Sequence, residues 1–339
     1  MTRLECSALR GMAIVSIMLH NFAHWLPGAV PENEFSFNLE HYEYFWESVL
    51  SKDFFIQILS FWGHLGVPVF VFMTGYGLAQ KYDHQKDIDK NSFLLNHWKK
   101  LFVPLVVGTF VYVLTMFVIE GHLVCSVPRI IVQLTMLLNF ISPMHLLPMP
   151  YWYLGMTMQL YIIYLLFVYR RPLTILLIVT IVSLIAMASL VYIPKAVVLS
   201  KFNFVGWLAP FFMGIVYSRY QTIVQFGRGW RSFGILAVSL FLVLIFGFNF
   251  FTWLLIPIFI VVLAVSSVKY IPISIQQNLD PIGRISLYLL IVHPITRELI
   301  MLLVSICGGY ISILIYVIVS FFVVYLFKYI KRLFSWLEW

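Results

Sequence analysis

Long apolar segments recur along the chain and are separated by short polar stretches. Most of the segments approach the roughly 20 residues that an α-helix needs to cross a hydrocarbon core of about 30 Å. They do not alternate as barrel strands do, so each is predicted to be a helix, which satisfies its own backbone hydrogen bonds in lipid. The predicted spans lie near residues 10–26, 61–80, 101–119, 151–169, 172–193, 204–218, 233–250, 252–268, 285–303 and 310–328.

Two further stretches do not fit this pattern. Residues 128–142 are apolar but too short to cross a membrane, so we expect an interfacial helix on the outer side. Residues 27–60 form a predicted outer loop with many acidic and aromatic side chains, among them Glu32 and Glu34. This loop either lies on the membrane surface or caps a site. The fold class expected is all-α: one polytopic membrane domain over residues 1–339, with about ten transmembrane helices.

Composition agrees with a membrane protein. The chain is 62% hydrophobic and 11% charged, with a mean hydropathy of +0.94, which excludes a large soluble domain. The net charge of +8 is read as a consequence of topology, and no nucleic-acid partner is expected. The three cysteines, Cys6, Cys125 and Cys307, show no CxxC spacing, so neither a disulfide framework nor a zinc site is predicted.

The distribution of basic residues predicts the orientation. Lys and Arg accumulate in cytoplasmic segments, and the best agreement places both termini in the cytoplasm. Of the 22 basic residues, 17 then lie inside: Arg3, Arg10, Lys81, Lys86, Lys90, Lys99, Lys100, Arg170, Arg171, Arg219, Arg228, Arg231, Lys269, Arg284, Lys328, Lys331 and Arg332.

The first span carries ionisable side chains that mark a candidate site. Arg10 stands at its cytoplasmic end, and His20 follows ten residues later, about 15 Å along a helix axis. Such groups usually face a bundle interior or a wet cavity. His20 is the leading general base, since imidazole exchanges protons near neutral pH. His24, one turn on, is the alternative. No acidic residue lies between them as in HExxH, so no metal is expected.

Basic residues near the cytoplasmic ends could bind a phosphorylated donor. Arg10 offers a guanidinium fork that suits phosphate, and Lys99, Lys100 and Arg284 could extend this electropositive surface. For any one of these three, an ordinary topological anchor is the favoured explanation.

Other polar residues could line the same cavity. Arg297 and Glu298 could either join them or form a structural ion pair. Gly66, Gly75 and Gly77 are expected to allow close helix packing. The candidate cavity residues are Trp152, Gln159, Tyr161, Ser286, Tyr288 and His293.

These stretches, in this order, resemble the integral-membrane acyltransferase 3 family over about residues 5–328. The matching pieces are Leu9-Arg10-Gly11-x-Ala13 running to His20, Gly66-x-Pro-Val-Phe-x-Phe-x-x-Gly75, Lys99-Lys100-Leu-x-x-Pro104, Trp152-Tyr-Leu with Gln159-x-Tyr161, Gly206 through Gly214, and Ile285-Ser-Leu-Tyr-x-x-x-x-His293-Pro294.

The resemblance implies a multi-pass enzyme of the cell membrane, the bacterial inner or plasma membrane. It would move an acyl group, often acetyl, from cytoplasmic acyl-CoA to a hydroxyl of a carbohydrate or other acceptor. Acetyl-CoA or another acyl-CoA would be a co-substrate, with no permanently bound cofactor. The family's functional arginine and histidine correspond to Arg10 and His20. The family has ten residues between the two, and this chain has nine, so Asn21 stands where the histidine is usual.

Two other function classes remain open. One is a transporter or flippase of a polar or lipid-linked substrate, which moves its substrate without acyl transfer. The other is a scaffold or signalling membrane protein. The sequence does not indicate the acceptor, the acyl chain, the oligomeric state or whether an acyl-enzyme forms. Membrane lipids are expected partners.

Overall fold

The computed structural model describes residues 1–221 and 226–333, and every regular element in these two ranges is helical. Residues 222–225 and 334–339, which the predicted single domain includes, lie outside the described part. In the first half of the chain the helices are α1 Arg3–Ala23, α2 Leu39–Ser48, α3 Phe54–Trp62, α4 Gly66–Tyr82, α5 Lys90–Glu120, α6 Val127–Leu134, α7 Leu138–Ile141 and α8 Trp152–Ile163.

The second half of the chain continues in the same way. Its helices are α9 Leu173–Ser189, α10 Pro194–Phe202, α11 Leu208–Arg219, α12 Trp230–Phe246, α13 Phe250–Trp253, α14 Ile256–Ser267, α15 Ile273–Arg284, α16 Ser286–Met301, α17 Val304–Cys307 and α18 Gly309–Leu333.

Six helical segments of the described chain are long and apolar enough to cross a membrane. They are Arg3–Ala23, Phe54–Tyr82, Lys90–Glu120, Met149–Val168, Leu173–Tyr192 and Gly309–Tyr329. A seventh span would result if Pro194–Phe202 and Phe204–Arg219, which meet at a bend of 72°, cross together. The other predicted spans correspond to the shorter helices α12, α14 and α16. The chain is therefore an all-helical, multi-pass membrane protein, and the count of ten and the orientation of the termini stay predictions.

The predicted interfacial segment contains the short helices α6 and α7. Ile131, Leu137, Phe140 and Ile141 expose apolar side chains there, as a segment at a membrane surface would. Asn139 donates hydrogen bonds to the carbonyl oxygens of Trp152 (2.7 Å) and Phe202 (2.8 Å). These bonds attach the segment to the bundle at α8 and α10.

The first helix begins at a capping box and lies at the centre of the bundle. The Thr2 side chain accepts a hydrogen bond from the Glu5 backbone N–H (3.1 Å), and the Glu5 carboxylate accepts from the Thr2 N–H (2.8 Å). From this start α1 packs against α3, α4, α15, α16 and α18. Because its neighbours enclose it, the polar side chains of α1 point into protein instead of lipid.

Glycines allow a close helix crossing between α4 and α11. A Cβ on Gly75 would overlap the Phe211 carbonyl oxygen, and one on Gly214 would overlap the Phe72 carbonyl oxygen. Gly66 has the same role against α1, at the Ala13 carbonyl. Gly77 differs from the expectation, because a Cβ there would meet only the Arg10 guanidinium, at 3.9 Å. Gly66 and Gly75 are therefore packing residues, as predicted, and Gly77 is not.

We expect Gly75→Ala and Gly214→Ala each to lower the free energy of unfolding by about 1–3 kcal/mol, because the added methyl forces two backbones apart. Thermal unfolding of the purified protein in detergent measures this loss. Gly234→Ala is the matched control, since no atom lies within 4 Å of a Cβ at that position. Equal melting temperatures for all three variants would contradict the crossing as described.

Candidate functional site

A cavity of about 920 Å³ runs alongside α1. Arg10, Lys100 and Ser286 line one end, and Trp25, Ser36 and His41 line the other. The rise along α1 between Arg10 and Trp25 is about 22 Å, roughly two-thirds of a hydrocarbon core. We call these the Arg10 end and the loop end. The cavity therefore connects the two ends of the bundle through most of the membrane thickness.

His20 lines this cavity and is held in one orientation. The side chain is 3% exposed, and its Nδ1 lies 2.7 Å from the carbonyl oxygen of Ser60. A carbonyl oxygen can only accept, so Nδ1 carries the proton and Nε2 keeps the lone pair. Gly63 allows this approach, since a Cβ there would lie 2.6 Å from the His20 Cβ. The sequence-predicted base thus presents a free acceptor nitrogen.

Two more histidines surround His20. The His24 ring stacks on it with centroids 5.6 Å apart, and the His64 ring meets it edge-on at 5.4 Å. Within the described residues, Nδ1 of His24 and Nδ1 of His64 have no hydrogen-bond partner. His24 lines the cavity beside His20, so the structure keeps it as the alternative base.

The outer loop places two carboxylates next to the base. One oxygen of Glu34 lies 4.0 Å from His20 Nε2, and Glu32 approaches the same point. Single ligand atoms of His20, Glu32 and Glu34 all lie within 4.8 Å of one another. Burial raises the pKa of the Glu34 carboxyl well above its usual range, the neighbouring Glu32 adds to this, and Lys201 opposes it.

The same three groups have the chemistry of a metal site. An imidazole nitrogen and two carboxylates are ligands that several divalent cations accept. The absence of a metal was predicted from the spacing of His20 and His24 alone. That absence stays a prediction.

Several contacts hold the outer loop against the bundle. The Trp253 indole N–H donates to the Asn33 carbonyl oxygen (2.9 Å), and the Asn33 side chain donates to the Asn38 carbonyl oxygen (2.9 Å). The Phe35 ring stacks on Phe202 with centroids 4.1 Å apart. The loop between α1 and α2 therefore caps the cavity, which is one of the two alternatives left open by the sequence.

The Arg10 end of the cavity is basic. Arg10, Lys81 and Lys100 line it, and Arg10 makes no salt bridge within the described chain. Lys99, predicted to join them, is not among the lining residues. Arg284 is also outside the cavity, because its guanidinium pairs with Asp280 at 2.6 Å on the surface. Of the four predicted donor-binding residues, the cavity brings together Arg10 and Lys100.

Of the six predicted cavity residues, three line the cavity and three do not. Trp152, Tyr161 and Ser286 line the cavity, whereas Gln159, Tyr288 and His293 do not. His293 is fully buried one turn from Leu289, whose carbonyl oxygen lies 3.0 Å from its Nδ1. Tyr288 packs against Phe327.

Gln159 has a structural role at the bend between α10 and α11. Its side chain donates to the Asn203 side-chain oxygen (2.8 Å) and accepts from the Phe204 backbone N–H (3.0 Å). A buried amide needs such partners, and here they supply the groups that the broken helix leaves unpaired.

Some site residues escaped the sequence analysis. Lys201 is buried at 3% exposure, and Lys81 and His97 line the cavity, but the sequence analysis predicted none of the three as a site residue. Arg297 lines the cavity, whereas Glu298 is not among the lining residues, and the two side chains form an ion pair at 2.5 Å. The acidic loop after the first span was the only signal for Glu32 and Glu34.

Comparison with known proteins points to one family. A family model described as an acyltransferase domain, of the acyltransferase 3 type, matches residues 5–331. Comparison with the curated proteins and with the solved structures gave no match.

Labelling of introduced cysteines with thiol reagents can test which side of the membrane each end of the cavity faces. With the three native cysteines replaced, Ser36→Cys should react with a membrane-impermeant reagent from outside the cell, and Ser286→Cys from the cytoplasmic side. Both serines line the cavity, at opposite ends. Ser239→Cys is the control, since Ser239 is buried away from the cavity and should stay unlabelled. Labelling of both cavity positions from one side would contradict the orientation.

Proposed function

The chain belongs to the acyltransferase 3 family, and we propose that it moves an acyl group, acetyl in the first instance, from cytoplasmic acyl-CoA to a hydroxyl of a cell-surface or exported glycan or small molecule. The observation that carries this proposal is the free Nε2 of His20 in a cavity that connects a basic end with a loop-capped end.

The donor would enter at the Arg10 end. Arg10 and Lys100 offer positive charge to the phosphates of CoA, and Arg10 can make bidentate contacts. The rise from Arg10 to His20 is about 15 Å, comparable with an extended pantetheine arm. A thioester held this way would reach the base while its nucleotide stays at the cytoplasmic surface.

The acceptor would enter from the loop end. His20 Nε2 takes the proton of the acceptor hydroxyl, and the oxygen forms an ester bond to the acyl carbon. The carbon–sulfur bond breaks, and the CoA thiolate takes the proton back from His20. Glu32 lies where its carboxylate would stabilise the imidazolium formed in between. General base catalysis of this kind typically contributes a factor of about 10²–10⁴.

A transporter remains the second candidate, because a cavity that connects both ends also suits a translocated substrate. The two functions differ in one measurable product. An acyltransferase releases free CoA in proportion to acylated acceptor, whereas a carrier consumes no acyl-CoA.

We expect His20→Gln to lower CoA release by a factor of about 10²–10⁴ while acyl-CoA binding persists, because the amide cannot accept the acceptor proton. Release is measured with the detergent-purified protein, and binding on the same sample. His84→Gln, at an exposed position, is the matched control and should keep normal turnover. If His20→Gln stays active and His24→Gln does not, His24 is the base.

Arg10→Ala should weaken acyl-CoA binding by about tenfold to 100-fold, since charge-assisted hydrogen bonds are lost. Arg10→Lys should recover only part, because an ammonium cannot reproduce bidentate contacts. Wild-type affinity should fall as ionic strength rises. Arg284→Ala is the control and should bind normally, as Arg284 lies outside the cavity. Unchanged affinity in Arg10→Ala would remove Arg10 from the donor site.

A further inference from the structure

We propose that His20, Glu32 and Glu34 form an inhibitory site for a divalent transition-metal cation of the Zn²⁺ type. The binding of the cation is argued from the geometry of these three side chains. Only its consequence, inhibition, rests on the proposed function, because it requires that His20 be the base. The sequence prediction of no metal considered a pair of histidines, whereas the structure brings acidic partners from the outer loop.

The three ligand atoms already lie close to the spacing of a metal site. One nitrogen or oxygen atom of each side chain lies within 4.8 Å of the other two, and Nε2 of His20 is 4.0 Å from an oxygen of Glu34. Zinc bonds of about 2.0–2.2 Å place tetrahedral ligand atoms roughly 3.3–3.6 Å apart. The three atoms therefore need to close by roughly 1 Å, which rotation about the glutamate side-chain torsions can supply.

His20 is oriented as metal-bound histidines usually are. Its Nδ1–H donates to the Ser60 carbonyl oxygen (2.7 Å), and histidine ligands typically make such a bond with the ring nitrogen that does not bind the metal. Nε2 makes no hydrogen bond within the described residues, although the side chain is only 3% exposed. A buried nitrogen with a free lone pair, directed at two carboxylates, indicates a site for an electrophile.

The outer loop holds both carboxylates next to this nitrogen. The Glu34 backbone N–H donates to an oxygen of the Glu32 carboxylate (3.2 Å), and Nδ1 of His41 lies 3.3 Å from the Glu32 carbonyl oxygen. Asn33, between the two glutamates, is held by the Trp253 indole N–H at its carbonyl oxygen (2.9 Å). The ligands are therefore largely positioned by the fold, so binding a cation orders little additional chain.

Charge and ligand type together select the class of cation. Two neighbouring carboxylates in a low-dielectric interior repel each other when both are ionised, and a divalent cation between them removes that repulsion. The imidazole favours Zn²⁺ and its transition-metal neighbours over Mg²⁺ and Ca²⁺, which prefer oxygen ligands. Water from the cavity would complete the coordination, as it does at zinc sites with three protein ligands.

A cation at this point would block the proposed reaction. It would occupy the Nε2 lone pair of His20, so the imidazole could not accept the proton of the acceptor hydroxyl. The proposed donor site lies at the Arg10 end of the cavity, about 15 Å along α1, so acyl-CoA would not compete with the cation. Inhibition should therefore persist at saturating acyl-CoA.

Cobalt binding tests the site without any acyl donor. Co²⁺ is a visible-absorbing probe for zinc sites, and it is titrated into the detergent-purified protein without a histidine tag. We expect one Co²⁺ per chain, with the absorption of a four- or five-coordinate ion. His20→Gln, Glu32→Gln and Glu34→Gln should each weaken binding by at least about tenfold, since even the outer partners of metal ligands contribute this much. Glu47→Gln, the same exchange at an exposed position of α2, is the matched control.

The outcomes separate the site from the proposed function. The proposal is overturned if the folded wild type shows no one-to-one cobalt spectrum, or if His20→Gln and whichever glutamate variants fold bind Co²⁺ as the wild type does. Displacement of Co²⁺ by Mg²⁺ at equal concentration would contradict the class of cation.

Inhibition is measured separately as CoA release with added Zn²⁺. Zn²⁺ should abolish release at saturating acyl-CoA, and a chelator should restore it. Bound Zn²⁺ with undiminished release would overturn the inhibitory role. If the protein without Zn²⁺ releases no CoA, the proposed function fails, whereas the cobalt result still decides whether the cation site exists.

Discussion

The hydrogen bond between His20 Nδ1 and the Ser60 carbonyl oxygen is the contact on which the site depends. It fixes the tautomer and directs Nε2 into the cavity. It requires that α1 lie very close to the segment after α3, and Gly63 and Gly66 make that distance possible. Ser16 strengthens the contact by donating to the Gly63 carbonyl oxygen (2.8 Å). Helix packing and the proposed acid–base chemistry therefore depend on the same few residues.

The low dielectric of the membrane interior explains why the polar groups form a connected set. An isolated charge there is expensive, so ionisable groups must face water, a partner or one another. Around His20 this condition is met by a loop that folds into the bundle and supplies Glu32 and Glu34. Behind the loop, the Lys201 ammonium lies over two indole rings, and Glu34 lines the same small gap.

The arrangement also accounts for an acyltransferase with no large soluble domain. Under the proposed function, a donor with several phosphates would stay at the basic Arg10 end, and only its pantetheine arm would enter the protein. The acceptor would reach the same base from the capped end. A cavity that connects both ends beside one helix would then take the place of separate binding domains.

Hydrophobic patterning alone determined the all-helical membrane fold, because roughly 20-residue apolar segments have no other stable form in lipid. The first span likewise marked Arg10 and His20 as candidates, since deep ionisable groups are rare and informative, and both line the cavity. Only the tertiary structure decided which other polar residues reach the cavity. Gln159 and His293 share the sequence features of site residues but lie outside the cavity, and Glu34 and Lys201, which line one small gap, lie far apart in sequence. Their meeting depends on loop folding and a helix bend, which local periodicity does not encode.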